Sequence, residues 1–516
     1  MEASASEGFP TGVRRAGALT VYEAFAAQAA RDPGAIAIEQ NGVRRPYGEL
    51  DARVRHLAAA LASRNVTKGS RIALIAENRA EYIEIQLAAA CLGAIVACQN
   101  WRLAPDELRH CITLVSPTLV IASARFAARV EALALGLPSL VIEREHEAMI
   151  AEFERAPVVA EIDAEDPLII LYTSGTTGLP KGAAISHRAE IARMCVLRMD
   201  LRVTEADGFI AWAPLFHMGS TDQALGALMS GATVFIVDGF DAERIVAIMA
   251  ENRLGWMLLM PGSIEPVVEF MKATGLRPKG VCAIGAMVDL VPKALVAELS
   301  GLANAPYLNS FGSTETGLAP ASAMLFQPGL VPDSLAKRKS SLCELRLVDP
   351  NGDDVPAGEP GEAAVRGPTV FSGYWNAPDI NARDFAGGWF RMGDLLRRTP
   401  EGGYDFVDRS KYMIKSGGEN IYPAEIERVL LADARVRDAV VIRKADAKWG
   451  EVPVAFVARA DEALDHAAIG ELCRRALAGY KRPKAVHFIA FEDFPRSTTG
   501  KILRHEMEKL YKDMLA

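Results

Sequence analysis

The sequence predicts an α/β protein with a large N-terminal domain of layered α/β sheets, which carries a β-rich subdomain, and a small, mobile α+β C-terminal domain. Three observations predict this fold. The chain has 516 residues, 50% of them hydrophobic and 24% charged, which is enough for several buried cores. Apolar runs alternate with amphipathic segments over the first 300 residues or so. After about Pro320 the pattern changes to shorter runs with turn residues.

The N-terminal elements follow one another in a regular order. VYEAFAAQAARDP predicts a helix, AIAIEQ a strand, YGELDARVRHLAAALASR a helix and RIALIAE a strand. The later runs TLVIAS, PLIILYTS, FIAWAPLF and ATVFIVD are continuously apolar and bounded by Gly, Pro or Ser. Such runs are typical of parallel strands buried on both faces.

The β-rich subdomain is predicted by CELRLVDPNGDDVPAGEPGEAAVRGP, whose NG, Pro and Gly residues are typical of hairpins. A polar, Gly-containing connection then precedes a helix that begins near Pro423. We expect the domain boundary at Lys411, so that residues 1–410 form the large domain and 411–516 the small one. VRDAVVIRK, VPVAFVARA and AVHFIAF predict its strands, and HAAIGELCRRALAGY predicts a helix.

Composition and charge exclude several classes of protein. The formal net charge is -8 and the basic residues form no stripe, so we expect no nucleic-acid partner. The seven cysteines are scattered and form no CxxC pair, which favours reduced thiols in the cytoplasm. The N-terminus has no secretory pattern, and no apolar run is long enough to predict a membrane span.

The strongest functional motif is LYTSGTTGLPKG, residues 171–182, which follows the apolar run PLII. Gly and hydroxyl residues after a strand offer backbone and side-chain donors to phosphate oxygens. A short Gly/Thr motif alone would indicate only a flexible turn. The motif also differs from the NTPase P-loop, because Pro180 and Gly182 flank Lys181.

Five more motifs follow in order along the chain. They are APLFHMG (213–219), NSFGSTETG (309–317), FRMGDLL (390–396), DRSKYMIKSGGENIYPAEIE (408–427) and PRSTTGKILR (495–504). With these motifs the chain resembles the adenylate-forming superfamily, which includes acyl-CoA synthetases, almost from end to end. The resemblance implies that ATP and Mg²⁺ convert a carboxylic acid to its acyl-adenylate, and that coenzyme A then accepts the acyl group.

The resemblance also implies the residues of the nucleotide and metal sites. Thr173 and Glu315 would hold Mg²⁺, a cation that prefers oxygen ligands. Phe311 would stack on adenine in place of the usual Tyr, and Asp394 would accept the ribose hydroxyls. The other implied nucleotide contacts are Ser174, Gly175, Thr176, Thr177, Lys181, Gly285, Ala286, Asn309, Ser310, Gly312, Thr314, Arg409 and Lys501.

Lys501 is the residue that we expect to catalyse adenylate formation, together with His217, Thr173 and Glu315. Attack of a carboxylate on the α-phosphate gathers negative charge on oxygens of both reactants. A positioned ammonium therefore stabilises the transition state more than the ground state. In the family the small domain then turns about a hinge residue, here Lys411, and presents a tunnel for coenzyme A.

The coenzyme A contacts implied by the resemblance are Arg102, Gly417, Gly418, Trp449, Tyr480, Arg482 and Lys484. Taken singly, Trp449 would be a packing aromatic and residues 479–484 a solvated basic loop. Their joint occurrence favours coenzyme A over a carrier protein. The resemblance also gives homodimerisation as an expectation.

The acid would contact His217, Met218, Gly219, Gly285, Ser310, Gly312 and Gly317. His217 disfavours an α-amino acid, because related adenylation domains pair the amino group with Asp at this position. The remaining residues are small or apolar, so we expect a hydrophobic acid, fatty or aryl. Residues 284–286 are Ile-Gly-Ala, which differs at Ile284 from the family's usual Gly-Gly-Ala. A carrier-loading enzyme and a non-catalytic acyl- or nucleotide-binding protein are the alternatives.

Overall fold

A computed structural model describes residues 16–153, 161–173, 179–286, 288–417, 419–496, 500 and 502–512. Helices and strands occur in the order that the sequence predicts, and the α/β fold is confirmed. The first helix begins after Thr20, whose hydroxyl accepts from Glu23 N while the Glu23 side chain accepts from Thr20 N.

Except for Pro378–Asp384, which has no buried residue, the helices bury one face or are buried throughout. They are α1 (Val21–Arg31), α2 (Tyr47–Ala62), α3 (Ala80–Leu92), α4 (Pro105–Leu114), α5 (Ala124–Glu131), α6 (Ile142–Glu152), α7 (His187–Asp200), α8 (Met218–Ser230), α9 (Ala242–Glu251), α10 (Pro261–Thr274), α11 (Lys293–Ala303), α12 (Pro378–Asp384), α13 (Pro423–Leu431), α14 (His466–Ala476) and α15 (Arg504–Leu510).

The strands of the first 300 residues are short, apolar and mostly parallel. They are β1 (Ile36–Gln40), β2 (Val43–Pro46), β3 (Arg71–Ile75), β4 (Ile95–Cys98), β5 (Leu119–Ala122), β6 (Ser139–Val141), β7 (Pro167–Thr173), β8 (Lys181–Ser186), β9 (Phe209–Ala211), β10 (Val234–Ile236), β11 (Arg253–Met257) and β12 (Gly280–Ile284).

The later strands are largely antiparallel. They are β13 (Tyr307–Leu308), β14 (Phe311–Ser313), β15 (Gly317–Ala321), β16 (Leu325–Phe326), β17 (Glu344–Val348), β18 (Pro360–Arg366), β19 (Phe385–Ala386), β20 (Trp389–Arg398), β21 (Tyr404–Arg409), β22 (Ile414–Ser416), β23 (Glu419–Ile421), β24 (Val436–Asp446), β25 (Gly450–Arg459) and β26 (Ala485–Phe488).

Three sheets build the body of the large domain, in the orders β6-β5-β3-β4-β7-β8, β2-β1-β10-β9 and β11-β12-β13-β16. A parallel bridge between Gly208 and Leu254 joins the second of these sheets to the third. Because this bridge and the pairing of β11 with β12 are parallel, the segments that follow β9 and β12 lie at the same edge and can contribute to a common site.

In the β-rich subdomain the strands pair in the order β17-β18-β20-β19, and β21 also pairs with β20. The predicted hairpin is confirmed, because β17 and β18 pair antiparallel from Glu344↔Arg366 to Val348↔Glu362. A 3-10 turn at Ser410–Tyr412 connects β21 to β22. Lys411 lies in this turn, and its role as a hinge stays a prediction.

The C-terminal sheet has the order β23-β22-β25-β24, with β26 parallel to β25. Its two faces carry separate apolar clusters, one around Ile426 and Leu464 and the other around Phe456 and Met507. Within the part of the chain that the structure describes, no helix is long and apolar enough to cross a membrane.

Candidate active site

Strand β8, at the edge of the first sheet, meets the segment 372–375. Tyr374 forms an antiparallel bridge with Ala183, and Trp375 N donates to Gly182 O at 2.8 Å. Lys181 begins β8 opposite Thr173 in the register. The Thr173 hydroxyl oxygen is buried and has no hydrogen-bond partner among the described residues. A buried hydroxyl without a partner at this position suits a polar ligand.

Tyr374 connects Lys181 to Glu315. Its hydroxyl donates to Glu315 Oε1 at 2.7 Å, and Lys181 Nζ lies 3.7 Å from the centre of its ring. Burial lowers the pKa of Lys181, and the attraction of Glu315 opposes this lowering. The structure therefore brings together a cation, a carboxylate and the Thr173 hydroxyl, which the sequence analysis assigned to phosphate and Mg²⁺.

These residues fit a magnesium ion bound with its phosphates. The described residues contain no group of three or more His, Cys, Asp or Glu side chains that could hold a metal ion. Mg²⁺ at sites of this kind takes only one or two protein oxygens, and phosphates and waters complete its shell. Glu315 and Thr173 supply such oxygens.

The motif at 309–317 is held by hydrogen bonds to residues 335–337 and by close packing within the motif. Asn309 donates to Leu335 O at 3.0 Å, and its side-chain oxygen accepts from buried Lys337 at 2.8 Å. A Cβ on Gly312 would lie 2.0 Å from Gly317 O, so no side chain fits there. Ser310 is buried between these residues.

His217 is the N-cap of α8, and its Nδ1 accepts from Gly219 N at 3.1 Å. A neutral His217 therefore carries its ring proton on Nε2. Gly219 is closely packed, since a Cβ would lie 2.9 Å from Leu258 Cδ2. Met218 is half buried next to it. The predicted acid contacts 217–219 thus lie at the N-terminus of one helix, after β9.

Gly285 and Ala286 follow β12 and are held from both sides. Trp256 Nε1 donates to Gly285 O at 2.8 Å, and Tyr307 Oη donates to Ala286 O at 2.8 Å. Gly285 has a φ of +79°, and a Cβ would lie 2.2 Å from the Tyr307 ring. Only glycine fits this position.

The predicted ribose residues form an ion pair between two neighbouring strands. Asp394 on β20 lies opposite Arg409 on β21, and Arg409 Nε donates to Asp394 Oδ1 at 2.9 Å. Asp394 is 2% exposed, and its charge raises the pKa of Arg409. Phe311 packs against Phe406 on β21, with 5.5 Å between ring centres.

Apart from Arg102, the described residues that are predicted to contact coenzyme A lie in the small domain. Gly417 N donates to Trp449 O at 2.8 Å, and a Cβ on Gly417 would lie 2.6 Å from Trp449 Cε3. Arg482 and Lys484 line a groove of about 600 Å³ between α14 and β26. Arg482 also donates to Leu477 O at 3.1 Å, so part of its donor capacity holds this loop.

Two of the predicted coenzyme A residues are exposed aromatic or basic side chains away from that groove. Tyr480 is 41% exposed. Arg102 lies in the large domain, with its guanidinium 4.7 Å from the centre of the Trp101 ring. The predicted residues Ser174, Gly175, Thr176, Thr177, Gly418 and Lys501 lie outside the described residues.

Sequence reasoning missed Tyr374, which contacts both Lys181 and Glu315. It also missed Arg193 on α7, whose Nη2 donates to Thr314 O at 3.0 Å. No periodic or spaced motif marks either residue. Tyr374 lies nearly two hundred residues after Lys181, so only the folded chain brings the two together.

Family models match most of the chain. The model described as AMP-binding enzyme matches residues 25–375, and AMP-binding enzyme C-terminal domain matches residues 425–501. The chain therefore belongs to the AMP-binding enzyme family, and the resemblance seen in the sequence is confirmed.

Named relatives resemble the chain over nearly its whole length. Indoleacetate–CoA ligase of Aromatoleum aromaticum is 33% identical, covering 93% of this chain and 96% of the relative. Feruloyl-CoA synthase of Amycolatopsis sp is 31% identical, covering 94% and 97%. The solved structure of o-succinylbenzoate CoA synthetase from Bacillus subtilis with its acyl-adenylate intermediate is 25% identical, has a TM-score of 0.83 and covers 95% of this chain and 98% of that one.

Proposed function

We propose that this chain activates an aryl carboxylic acid with ATP and transfers the acyl group to coenzyme A. The chain is an enzyme, an AMP-forming acid–CoA ligase that uses ATP, Mg²⁺ and coenzyme A. The observation that carries the aryl assignment is the end-to-end similarity to ligases named for indoleacetate and ferulate, at 33% and 31% identity.

The predicted acid contacts favour an apolar substrate. The predicted acid contacts include no Lys, Arg, Asp or Glu. The Trp212 and Trp256 indole N–H groups donate to Leu258 O and Gly285 O, at 2.7 and 2.8 Å, respectively. Both side chains are buried in the apolar core, so their hydrogen bonds support the main chain of the site, and the uncharged contacts favour an apolar acid.

The carboxylate end of the acid is assigned to His217. With Nδ1 accepting from Gly219 N, the neutral ring meets a carboxylate through the protonated nitrogen. A charged carboxylate is thereby oriented without a cationic side chain that would hold it in the ground state. A contact that stabilises the ground state and the transition state equally would lower KM without raising kcat.

Adenylate formation is assigned to the residues around Tyr374. Thr173 and Lys181 would bind phosphate oxygens, and Glu315 would hold Mg²⁺, which neutralises phosphate charge when bound. The Tyr374 hydroxyl fixes the Glu315 carboxylate at 2.7 Å, so its position is set before the nucleotide arrives. Lys501 is assigned to stabilise the charge that develops as the carboxylate attacks.

Nucleotide orientation is assigned to Asp394, Arg409 and Phe311. The buried Asp394 pairs with Arg409, and an ionised carboxylate accepts hydrogen bonds from both ribose hydroxyls. Phe311, between Phe406 and the site, offers an aromatic face to the adenine.

Transfer to coenzyme A is assigned to the small domain, with Lys411 as its hinge. Gly417, which packs against the Trp449 ring, is assigned to the pantetheine tunnel, and Trp449, Tyr480, Arg482, Lys484 and Arg102 are assigned to the coenzyme A nucleotide. We place the enzyme in the cytoplasm, because all seven cysteines are free thiols.

The test measures pyrophosphate release with ATP and Mg²⁺, using indoleacetate, ferulate and benzoate beside octanoate and malonate, with and without coenzyme A. We expect pyrophosphate and a thioester, identified by mass, with at least one aryl acid. A thioester formed only from octanoate or malonate would refute the aryl assignment.

A matched pair of variants separates the site from the rest of the molecule. Glu315→Gln should abolish pyrophosphate release, since it removes the proposed Mg²⁺ ligand. Glu344→Gln removes a carboxylate that pairs with Arg366 at the exposed edge of the β-rich subdomain, and should leave activity unchanged. Equal activity of the two variants would contradict the role given to Glu315.

A further inference from the structure

Arg193 on α7 is a fully buried cation that the proposed mechanism does not use. It is 3% exposed, and its guanidinium has three acceptors on three different segments. Nη1 donates to Asp222 Oδ2 at 2.9 Å, Nη2 to Thr314 O at 3.0 Å and Nε to Thr369 O at 3.2 Å. One side chain thus connects the segments that build the site.

Each of these segments carries a part of the proposed active site. Asp222 lies in the first turns of α8, which His217 caps. Thr314 precedes Glu315, the proposed Mg²⁺ ligand. Thr369 precedes Phe371, whose N donates to Glu315 O at 2.8 Å. The guanidinium therefore fixes the acid helix and the metal loop relative to each other.

The packing around Arg193 is as close as its hydrogen bonding. A Cβ on Gly317 would lie 2.9 Å from Arg193 Cγ and 3.0 Å from Nε, so glycine is needed for the side chain to pass. Glu190, one turn earlier on α7, is fully buried, and neither of its carboxyl oxygens has a hydrogen-bond partner among the described residues. Burial and the charge of Asp222 raise the pKa of Glu190 well above its usual range.

A neutral Glu190 leaves Arg193 and Asp222 as a balanced ion pair. An isolated buried charge would be costly, whereas a balanced and hydrogen-bonded pair is tolerated and holds one geometry. The pair is directional, since the planar guanidinium presents its donors at fixed angles. Lysine has the same charge, but it is a compact point charge whose three donors rotate and lack the fixed planar geometry.

We infer that Arg193 is a positioning residue for adenylate formation, which holds Thr314 and Glu315 in register with the acid-binding helix α8. The inference rests on the proposed function. Its consequence is specific: loss of the guanidinium geometry should impair the step that needs ATP and Mg²⁺, and spare the step that needs coenzyme A.

Arg188 on the same helix provides a matched control. Its guanidinium donates to Glu165 at 2.6 Å and to Pro368 O and Val370 O, on either side of Thr369, with 3.1 Å to Val370 O. It holds the same 368–370 segment from the surface. Among the described residues, it forms no hydrogen bond with Thr314. Arg188→Lys thus removes a similar set of main-chain hydrogen bonds without touching the metal loop.

The experiment compares Arg193→Lys, Arg188→Lys and the unmodified enzyme in two half-reactions. We expect Arg193→Lys to slow acid-dependent pyrophosphate release about 10- to 100-fold, the effect of a small misplacement of catalytic groups. The rate of thioester formation from a supplied acyl-adenylate should stay within roughly twofold of the rate of the unmodified enzyme. Arg188→Lys should leave both half-reactions unchanged.

Binding of ATP with Mg²⁺, measured by calorimetry, gives a readout that does not depend on turnover. It should weaken by about tenfold in Arg193→Lys and stay unchanged in Arg188→Lys. Equal losses in both half-reactions, equal losses in the two variants, or unchanged ATP binding in Arg193→Lys would each overturn the inference.

Failure of the proposed function and failure of the inference about Arg193 give different results. If the unmodified enzyme releases no pyrophosphate with any acid, the proposed function fails, and the ATP-binding comparison still decides the role of Arg193. Should Arg193→Lys not fold, as judged by its thermal unfolding, Asp222→Asn replaces it, because it removes the charge that orients Nη1. The same selective loss is then expected, and equal loss in both half-reactions overturns the inference.

Discussion

Replacement of Gly417 by alanine should impair the coenzyme A step without impairing adenylate formation. Gly417 has a φ of +59°, and its new Cβ would lie 2.6 Å from Trp449 Cε3. Trp449 is 43% exposed, so the ring can turn outward to relieve the contact. The substitution thus displaces an aromatic ring that we assign to the adenine of coenzyme A.

The magnitude follows from two contributions. A side chain in the left-handed region costs about 1–2 kcal/mol of folding free energy. Loss of a stacked aromatic partner costs about 1–3 kcal/mol of base binding, which corresponds to a roughly 5- to 140-fold rise in KM for coenzyme A. Only the second contribution concerns catalysis.

Gly450→Ala is the matched control for the first contribution. Gly450 follows Trp449 directly and has a φ of +80°, yet its Cβ would meet only Lys415 O, at an ordinary 3.5 Å. We expect similar thermal unfolding in both variants and a raised KM for coenzyme A in Gly417→Ala alone. The assay follows thioester formation against coenzyme A concentration, with pyrophosphate release measured in its absence. An equal KM in the two variants, or an equal loss of pyrophosphate release, would refute the reasoning.

Three further predictions concern the catalytic lysine, the turn after β12 and a buried carboxylate. Lys501→Ala should abolish adenylate formation yet spare transfer from a supplied acyl-adenylate; equal damage to both steps would contradict its role. Gly285→Ala should lower the free energy of unfolding by about 2–5 kcal/mol, combining strain with overpacking. Gly239→Ala, at a φ of +89° with no atom within 4 Å of its Cβ, should cost only about 1–2 kcal/mol, and equal denaturant midpoints would contradict the Tyr307 clash. Glu84 is fully buried; burial alone would raise its pKa, but hydrogen bonds from His146 and Arg53 outweigh burial and lower the pKa to about 2, so its ionised form stabilises the fold by about 3 kcal/mol at neutral pH. Because the pKa of Glu84 is lower in the folded state than in the unfolded state, this stability is lost as pH falls from about 4.5 to 2. Glu84→Gln should therefore reduce the change of the free energy of unfolding with pH over that range. An unchanged pH dependence in the variant would contradict the assignment.

The sequence predicted the elements well where local pattern decides the structure. The amphipathic and apolar runs became α1, β1, α2 and β3 in order, and the helix predicted near Pro423 begins at Pro423. FIAWAPLF was predicted as one strand, but β9 ends at Ala211. The chain turns at Pro214, whose O accepts from His217 N at 2.9 Å, and this turn carries His217 into the site.

The sequence predicted less well what depends on distant contacts. The family motifs indicated Lys181 and Glu315 but not Tyr374, which lies between them only because 372–375 extends the sheet beside β8. Arg193 resembles any other arginine of an amphipathic helix in the sequence. Its buried position depends on the packing of α7 against α8 and on the absence of a side chain at Gly317.

The transfer of a labelled carboxylate oxygen tests the central claim most directly. An aryl acid whose two carboxylate oxygens carry a heavy isotope is incubated with the enzyme, ATP, Mg²⁺ and coenzyme A, and the products are examined by mass. The account predicts one labelled oxygen in AMP and the other in the thioester, since the carboxylate attacks the α-phosphate. AMP without label, or label in ADP or inorganic phosphate, would contradict it.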